Sequence, residues 1–294
     1  MHRIRLKNSK IRVYGKEGKL LPKGMAEEHT AFLHNLLSND IKGMADNTMP
    51  YNLWLRQNGF PIGEFYVLKL GNSYLLDTPL DRSFVLEEFS RLKLSMRVYF
   101  EALDMDHVFI FGEGARDFIL SSFGVELKEG EAKELNGMRV ARNDIRLREE
   151  GYDIIGENLN IDLKEEEGVK EEDFEHERIL RMVPRLGKEL KEGFSPLEAC
   201  LLKYAISLTK GCYVGQEAIA RVHYRGRPAR TLALFEGEEL SEGQVIKSGE
   251  KKVGIITSVS PKGHVALGYI LRSSLQAPLS LEDGREIKLI KTCD

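Results

Sequence analysis

The first two-thirds of the chain mixes helical and strand patterns of apolar residues. The spacing predicts three helices, over residues 27–37, 82–92 and 115–123, the last with Gly124 placed to cap it. Residues 65–70 and 74–76, separated by Gly71-Asn72-Ser73, predict a β-hairpin, and residues 108–111 predict a short buried strand. Helices and strands that alternate in this irregular way indicate an α+β fold.

Beyond Arg230 the apolar runs become short, rich in β-branched residues and separated by glycines. These runs are residues 231–235, 253–257, 265–267 and 287–290. Such spacing is typical of a small antiparallel barrel or sandwich. We therefore place a domain boundary near Pro228, between an α+β region over 1–228 and a C-terminal β-barrel over 229–294.

A further helix is predicted to begin at Ser195. The run Ser195-Pro196-Leu197-Glu198 offers a capping residue, a proline at the first helical position and a glutamate at the third. The predicted helix carries Ala199, Leu201 and Leu202 toward the core, with Cys200 on it.

The composition excludes several classes of protein. The 294 residues carry 43 Lys and Arg against 46 Asp and Glu, a net charge of −3, which excludes a globally basic nucleic-acid binder. The first residues contain scattered charges, so a signal peptide is not expected. The sequence contains no run of eighteen apolar residues, so a transmembrane helix is not expected.

The cysteines also limit the possibilities. The chain has three cysteines and no C-x-x-C pair, which argues against a disulfide framework and against a four-thiolate zinc site. This cysteine content favours a location in a reducing cytoplasm.

The charges are unevenly distributed along the chain. Residues 165–177 contain eight acids and one lysine, and we expect them to be solvated because like charges repel. Residues 203–230 contain six Lys or Arg and one acid, a local charge of +5 that can hold phosphates of RNA or carboxylates of a polyglutamate tail. The alternate spacing of Arg221, His223 and Arg225 also suits the solvated face of a strand.

The densest local feature is the run Lys210-Gly211-Cys212-Tyr213-Val214-Gly215-Gln216-Glu217. Two glycines allow a tight turn that exposes the thiol of Cys212, and Lys210 is close enough in sequence to favour the thiolate. Cys212 is therefore a candidate reactive group. The alternative is a buried structural cysteine in a glycine-rich turn.

This run resembles the K-G-C-Y-x-G-Q-E signature of the YgfZ family of folate-binding proteins, relatives of the glycine-cleavage T-protein, an aminomethyltransferase. Weaker matches follow the family's order along the chain, at residues 32–41, 57–65, 151–153, 177–187 and 196–199. The resemblance implies a three-lobed T-protein-like α+β fold, with two mixed α+β lobes, a C-terminal antiparallel β-barrel, and tetrahydrofolate in a central opening.

The resemblance also implies roles for individual residues. Its candidate catalytic residues are Cys212, Lys210 and Glu64, and its candidate folate-binding residues are Asp153, Arg178, Tyr213, Gln216 and Glu217. A carboxylate at Asp153 could accept two hydrogen bonds from the N–C–NH2 edge of a pterin, although an ordinary turn residue would also fit there. The catalytic acid of T-proteins matches Glu64, where this chain has Glu rather than Asp, preceded by Gly63.

The function implied is that of a cytoplasmic, tetrahydrofolate-binding protein that assists iron–sulfur cluster assembly or repair in client enzymes, among them tRNA-modifying radical enzymes. One thiolate cannot hold a cluster alone, so no stable metal is expected. Two alternatives stay open at this point. One is a folate-dependent aminomethyltransferase, and the other is an RNA-binding module using residues 221–230, although direct contact with nucleic acid is not expected.

Overall fold

The structure, a computed structural model, describes residues 1–15, 27–159 and 168–294, which form two compact units. Unit 1 comprises Met1–Leu55, Gly63–Gly168 and Tyr204–Val214; unit 2 comprises Arg56–Ile62, Val169–Lys203 and Gly215–Asp294. Pro228 lies inside the last segment of unit 2, and the division into 1–228 and 229–294 stays a prediction.

Six α-helices lie within these described ranges. They are α1 (Glu28–Leu36), α2 (Arg82–Leu92), α3 (Ala115–Phe123), α4 (Glu171–Leu180), α5 (Leu202–Ala205) and α6 (Gln216–Tyr224). The first three confirm the helices predicted from apolar spacing. Asp81 caps α2 by accepting the main-chain N–H groups of Ser83 and Phe84, and Gly124 ends α3 in a left-handed conformation.

The same ranges contain sixteen strands. They are β1 (His2–Arg5), β2 (Ser9–Gly15), β3 (Tyr51–Leu55), β4 (Pro61–Leu70), β5 (Ser73–Thr78), β6 (Val98–Leu103), β7 (Asp106–Phe111), β8 (Ala132–Leu135), β9 (Met138–Arg142), β10 (Gly151–Gly156), β11 (Arg230–Glu236), β12 (Val245–Ser248), β13 (Lys251–Val259), β14 (Val265–Leu271), β15 (Ser280–Leu281) and β16 (Lys288–Thr292). The antiparallel pair β4 and β5 confirms the predicted hairpin, and β7 confirms the predicted buried strand.

Unit 1 contains two five-stranded sheets, each covered by helices. The first has the strand order β1-β7-β10-β9-β8 and packs Ile110 and Ile154 against Ile119 of α3. The second has the order β3-β4-β5-β2-β6 and packs against α1 and α2. Phe89 of α2 is fully buried there, with ring centroids 5.5 Å from Phe32 and Phe100. Apolar burial on one face of each sheet therefore positions the strands that carry the site.

Unit 2 is built on a curled six-stranded sheet. Its strand order is β15-β12-β13-β14-β11-β16, and the strand pairs are antiparallel. Register shifts at Leu234/Phe235 and Ile256/Ser258 are typical of the bulges that bend a sheet. Phe235, Ile256 and Ile270 are among the residues that fill its interior. The predicted α+β class with an antiparallel C-terminal sheet is confirmed.

The helix predicted at Ser195 is wrong. Ser195 and Glu198 make the expected capping contacts, because Leu197 N–H donates to Ser195 Oγ and Ser195 N–H donates to Glu198 Oε2. The segment nevertheless forms a turn, and Cys200 ends it with a left-handed φ of 58°. A capping sequence thus fixes the first turn, but the left-handed residue prevents an α-helix from continuing.

The sequence argues against a disulfide framework, and the described residues contain a single disulfide, which the sequence did not predict. Cys200 and Cys293 form a disulfide, with Cα atoms 6.0 Å apart and a sequence separation of 93. Cys212 is the free cysteine, and it is exposed. An odd cysteine count excludes complete pairing but permits a single bridge.

The basic stretch has a different local structure from the predicted strand face. Arg221 and His223 lie on α6, which begins after Gly215, and Arg225 follows its last residue. Arg221 Nη2 donates to Glu217 Oε1 at 2.6 Å, an i, i+4 pair typical of a helix surface. The strand interpretation is therefore wrong, although the basic side chains are largely at the surface.

Part of the acidic stretch lies outside the described residues, namely 165–167. In the part that follows, Glu171 and Glu172 are exposed in the first turn of α4, where acids are favoured by the helix dipole. None of the helices in the described ranges has the length and apolar character needed to cross a membrane.

Candidate functional site

Lys210 closes the carboxyl end of α1. Its Nζ donates to the main-chain oxygens of His34, Leu37 and Asn39 at 2.5–2.8 Å, so it satisfies carbonyl groups that the end of a helix leaves without partners. Burial lowers the pKa of Lys210 to about 7. Hydrogen bonding to the three main-chain oxygens favours a higher pKa of Lys210. An ammonium group has three N–H donors for these acceptors, whereas a neutral amine has two.

A second attachment to α1 lies four residues further along. Val214 N–H donates to the carbonyl oxygen of Asn35 at 3.1 Å. Between the two attachments, the ring of Tyr213 is buried, and its centroid lies 4.6 Å from Lys210 Nζ. Burial raises the pKa of Tyr213 to about 12, and its hydroxyl makes no hydrogen bond to any residue that the structure describes. The turn over 210–214 is thus fixed to α1 at both ends.

Cys212 lies at the middle of this fixed turn and its thiol is exposed. Of the two interpretations that the sequence leaves open, the structure agrees with the exposed thiol and not with the buried structural cysteine. Lys210 points its ammonium group into the carbonyl cage at the end of α1. Its role in the turn is consequently to position the main chain that presents Cys212.

The rest of the signature belongs to unit 2. Gly215, at a φ of 84°, precedes α6, and this left-handed conformation explains why glycine stands there. Gln216 and Glu217 form the first turn of that helix. Glu217 is exposed and pairs with Arg221. Their predicted contacts with folate stay a prediction.

Glu64 lies on β4 in unit 1 and is half-buried. It accepts a short hydrogen bond from the hydroxyl of Tyr51 on the neighbouring strand β3. Burial, with the charge of Glu64 beside it, raises the pKa of Tyr51 well above its ordinary value, so this hydroxyl stays a donor. The ring of Tyr51 packs on that of Tyr66 with centroids 4.9 Å apart. Glu64 is therefore an oriented carboxylate beside two aromatic rings.

Asp153 lies on β10 and is fully buried. His107 Nε2 and Arg146 Nε lie 2.8 and 2.9 Å from its Oδ1, while Asn143 donates to its Oδ2 at 2.7 Å. Burial alone would raise the pKa of Asp153, but Arg146 and His107 outweigh it and hold that pKa below its ordinary value. The predicted pterin contact at Asp153 stays a prediction, and it would require a ligand to displace one of these donors.

A second buried carboxylate, Asp77 on β5, completes this charged cluster. Lys10 Nζ lies 2.8 Å from its Oδ1, and Arg146 Nη2 donates to its Oδ2 at 2.8 Å. His107 stands between the two acids, with Nδ1 3.5 Å from Asp77 Oδ1. Because Lys10 and Asp77 belong to one sheet and His107 and Asp153 to the other, the cluster joins the two sheets of unit 1.

Contacts within unit 1 connect Lys210, Glu64 and Asp153. Asn39, whose carbonyl accepts from Lys210, donates its side-chain amide to the carbonyl oxygen of Tyr51 at 3.2 Å. The guanidinium carbon of Arg146 lies 4.1 Å from the ring centroid of Tyr66, and the Tyr66 ring contacts that of Tyr51 at a tilt of 41°. The structure thus brings three predicted residues into one connected set. The sequence reasoning missed the residues that connect them: Lys10, Tyr51, Tyr66, Asp77, His107 and Arg146.

A signal for part of this set exists in the sequence. Asp77 directly follows the apolar run Tyr74-Leu75-Leu76, and a charge at the end of a buried strand points to a partner. The identity of the partner could not be read in this way, because Arg146 is 69 positions away.

Arg178 is buried in unit 2, away from these residues in the chain. Its guanidinium donates to Glu175, to Glu189, to Ser258 and to the carbonyl oxygen of Val183. All five N–H donors of an arginine are engaged by these contacts. Its predicted folate contact stays a prediction, and a structural role explains its contacts here.

The described residues contain one group of thiol and carboxylate atoms close enough to share an ion, formed by Cys200, Cys293 and Asp294. The two sulfurs are already bonded to each other. The predicted absence of a stable metal stays a prediction.

Sequence comparisons relate the chain to several known proteins, while no model of a known protein family matches it. An uncharacterized protein of Aquifex aeolicus is 57% identical over 136 residues, which is 45% of this chain and 91% of that protein. The human mitochondrial iron–sulfur cluster assembly factor IBA57 is 30% identical over 128 residues, 40% of this chain and 35% of that protein. An aminomethyltransferase of Alkaliphilus oremlandii is 22% identical over 277 residues, 85% of this chain and 74% of that protein.

Comparison with solved structures extends over nearly the whole chain. The glycine cleavage system aminomethyltransferase T of Bartonella henselae superposes with a TM-score of 0.80 at 17% identity, covering 98% of this chain and 84% of that one. The fold is therefore that of the aminomethyltransferases. The chain belongs to one family with the Aquifex aeolicus protein, and it is homologous to the IBA57 iron–sulfur cluster assembly factors.

Proposed function

We propose that the chain is a cytoplasmic, YgfZ-type protein that binds a reduced folate and assists the assembly or repair of iron–sulfur clusters in client enzymes. Among these clients we include radical enzymes that modify tRNA. The observation that carries the proposal is the exposed thiol of Cys212 on a turn fixed at both ends. Homology to a cluster assembly factor and an aminomethyltransferase-like fold support it.

The chemistry of Cys212 fits a transient role. A thiolate is a good ligand for iron, but clusters are normally held by four protein ligands, so one thiol would contact a cluster or a client only briefly. Lys210 and Val214 fix the turn that carries this thiol. The turn therefore does not lose conformational entropy each time the thiol meets a cluster or a client. The iron–sulfur cluster is thus cargo for this protein.

The residues of unit 1 also fit a reduced folate. A pterin presents an N–C–NH2 edge with two donors, which suits a carboxylate that solvent can reach. Of the two predicted acids, Glu64 is half-buried and lies beside the rings of Tyr51 and Tyr66. Asp153 is fully buried, with three side-chain hydrogen bonds and an ion pair to Arg146 Nε. Glu64 is accordingly the acid that we assign to folate.

Calorimetric titration with tetrahydrofolate tests this assignment. We expect binding to the wild-type chain and at least a tenfold weaker affinity for Glu64→Gln, about 1.4 kcal/mol. An unchanged affinity in Glu64→Gln would contradict the assignment, and absence of binding to the wild-type chain would contradict the folate part of the proposal.

The second candidate is a folate-dependent aminomethyltransferase, favoured by the similarity to aminomethyltransferases over 85% of the chain. That activity requires an acid near the folate nitrogen, and Glu64 is the candidate. The chain would be incubated with an aminomethyl-loaded lipoyl carrier and tetrahydrofolate, and ammonia would be assayed. We expect no release; turnover that is lost in Glu64→Gln would favour the enzyme instead.

The RNA-binding alternative predicts that affinity for tRNA falls steeply with salt, because each neutralised phosphate releases counterions. Arg225 and Arg227 are exposed near the end of α6 and would make such contacts. We expect the chain to bind tRNA only weakly. The double variant Arg225→Ala with Arg227→Ala should lose this binding and still support the client enzymes as wild type does.

A further inference from the structure

The disulfide between Cys200 and Cys293 joins the end of an exposed edge strand to a turn of unit 2. β16 is an edge strand of the six-stranded sheet, pairs with β11, and is largely exposed. Cys293 follows its last residue, Thr292, and donates its main-chain N–H to Leu232 of β11 at 3.0 Å. An exposed edge strand held by one neighbour is a part of a sheet that opens easily.

The other end of the bond is attached to the same neighbour. Cys200 ends the turn that begins at Ser195, and the carbonyl oxygen of Glu198 in this turn accepts from Leu232 N–H at 2.8 Å. The side chain of Glu198 also accepts from Arg230 Nε at 2.8 Å. The turn and Cys293, which directly follows β16, therefore both hydrogen-bond to Leu232 of β11, and the disulfide links the turn to the end of β16.

We propose that Cys200 and Cys293 form a reversible disulfide that fastens the edge strand β16 to the turn over 195–200. Both residues are partly exposed, so small thiols and disulfides can reach the sulfurs. Because this disulfide can form or break, the stability of unit 2 depends on the thiol–disulfide balance of its surroundings. The proposal is independent of folate and of iron–sulfur chemistry.

The redox step balances with a low-molecular-weight disulfide such as oxidised glutathione. The thiolate of one cysteine attacks the glutathione disulfide, forms a mixed disulfide and releases one glutathione thiolate. The second cysteine then displaces the other glutathione. Two protein thiols are oxidised by two electrons, one glutathione disulfide is reduced to two thiols, and the protons of the protein thiols pass to the two leaving thiolates.

Asp294 does not favour a metal site at this pair. Its Oδ1 accepts from Thr231 Oγ1 at 2.7 Å, and its Oδ2 accepts from Arg272 Nη1 at 2.5 Å. A metal ion would compete with these two donors for the carboxylate, whereas the disulfide leaves both contacts intact. The geometry of the pair therefore favours the bond over the chelate.

The test counts thiols in the full chain carrying Cys212→Ser, because oxidised glutathione would otherwise cap the exposed thiol of Cys212. After exchange with oxidised glutathione, thiols are counted by alkylation in denaturant and intact mass. We expect no alkylated thiol before reduction and two after it, with a peptide linking residues 200 and 293 in the unreduced digest. Two alkylated thiols in the unreduced sample would overturn the proposal. So would zinc uptake by the reduced pair that blocks disulfide formation in the same buffer.

A second measurement tests the mechanical consequence in a Cys212→Ser background, which removes thiol shuffling. We expect reduction to lower the Tm by about 5–15 °C and to speed hydrogen exchange in β16. Cys200→Ser, Cys293→Ser and the double variant should each show the lower Tm, with no further effect of reductant. Equal Tm values for oxidised and reduced protein would contradict the fastening role.

Discussion

The ammonium group of Lys210 donates to the main-chain oxygen of Asn39 at 2.8 Å, and this contact joins the signature turn to the strands of unit 1. Asn39 in turn donates to Tyr51, whose hydroxyl donates to Glu64. The lysine is therefore a positioning residue for both the turn that carries Cys212 and the segment beside Glu64. The signature residue that the sequence associates with thiol reactivity acts here through the main chain.

Replacing Lys210 by methionine should destabilise the chain. Methionine fills a similar volume but donates no hydrogen bonds, so the carbonyl groups of His34, Leu37 and Asn39 lose their partner. We expect a loss of about 2–4 kcal/mol in the free energy of unfolding, measured with urea. Lys251→Met, at an exposed strand position, is the control and should stay within about 0.5 kcal/mol of wild type. Equal effects of the two substitutions would contradict the role of Lys210.

Replacing Cys212 by serine should leave stability unchanged. The thiol is exposed, and the turn is held by Lys210 and Val214, so the expected change in unfolding free energy is within about 0.5 kcal/mol. The measurement is urea unfolding with reductant present. A loss of more than about 2 kcal/mol would mean that Cys212 has a packing role, which the structure does not predict.

Asp153→Asn distinguishes a structural acid from a folate contact. The substitution removes the charge that faces Arg146 and His107 in a fully buried position, and breaking such a pair costs about 3–5 kcal/mol. We expect a large drop in the unfolding free energy and, in folded protein at low temperature, a tetrahydrofolate affinity close to wild type. Unchanged stability with lost folate affinity would instead support the pterin contact predicted from the sequence.

The buried cluster also predicts a pH dependence. Burial would raise the pKa of Asp77, but Lys10 and His107 outweigh it and hold that pKa well below its ordinary value of 3.8. The unfolded chain thus binds more protons than the folded chain below about pH 4, and the stabilising contribution of Asp77 is complete above that value and is lost as the pH falls through the folded pKa.

Urea unfolding between pH 3 and pH 7 measures this dependence. The difference in unfolding free energy between wild type and Asp77→Asn should be constant from about pH 5 to pH 7 and shrink below about pH 4. If Asp77→Asn does not fold, the double variant Lys10→Met with Asp77→Leu removes both charges together. The unfolding free energy of this variant should fall less steeply below about pH 4 than that of wild type. An equally steep fall in the variant would contradict the role of Asp77.

Local signals in the sequence predicted local structure well. Apolar spacing predicts α2 and α3, and Gly124 marks the end of α3, because the contacts that form these helices lie within one or two helical turns. The turn at Ser195 shows the limit of such signals. Its capping contacts form as predicted, but the left-handed Cys200 and its bond to Cys293 come from parts of the fold that local sequence does not contain.

The sequence offers candidate residues for the site but does not give the contacts that connect them. Cys212 stands out because its neighbours in sequence are also its neighbours in space. The cluster around Asp77 and Asp153 does not stand out, because His107 and Arg146 reach it from other strands and turns. Long-range pairing of buried charges depends on topology, which the pattern of residue types does not specify.

The central claim is tested most directly in cells that lack the native protein and express a client [4Fe–4S] enzyme that modifies tRNA. The iron content and activity of that enzyme would be compared among strains carrying wild type, Cys212→Ser and Ser248→Ala, matched for expression. We expect wild type and Ser248→Ala to restore the client enzyme and folded Cys212→Ser not to restore it. Full restoration by Cys212→Ser would contradict it.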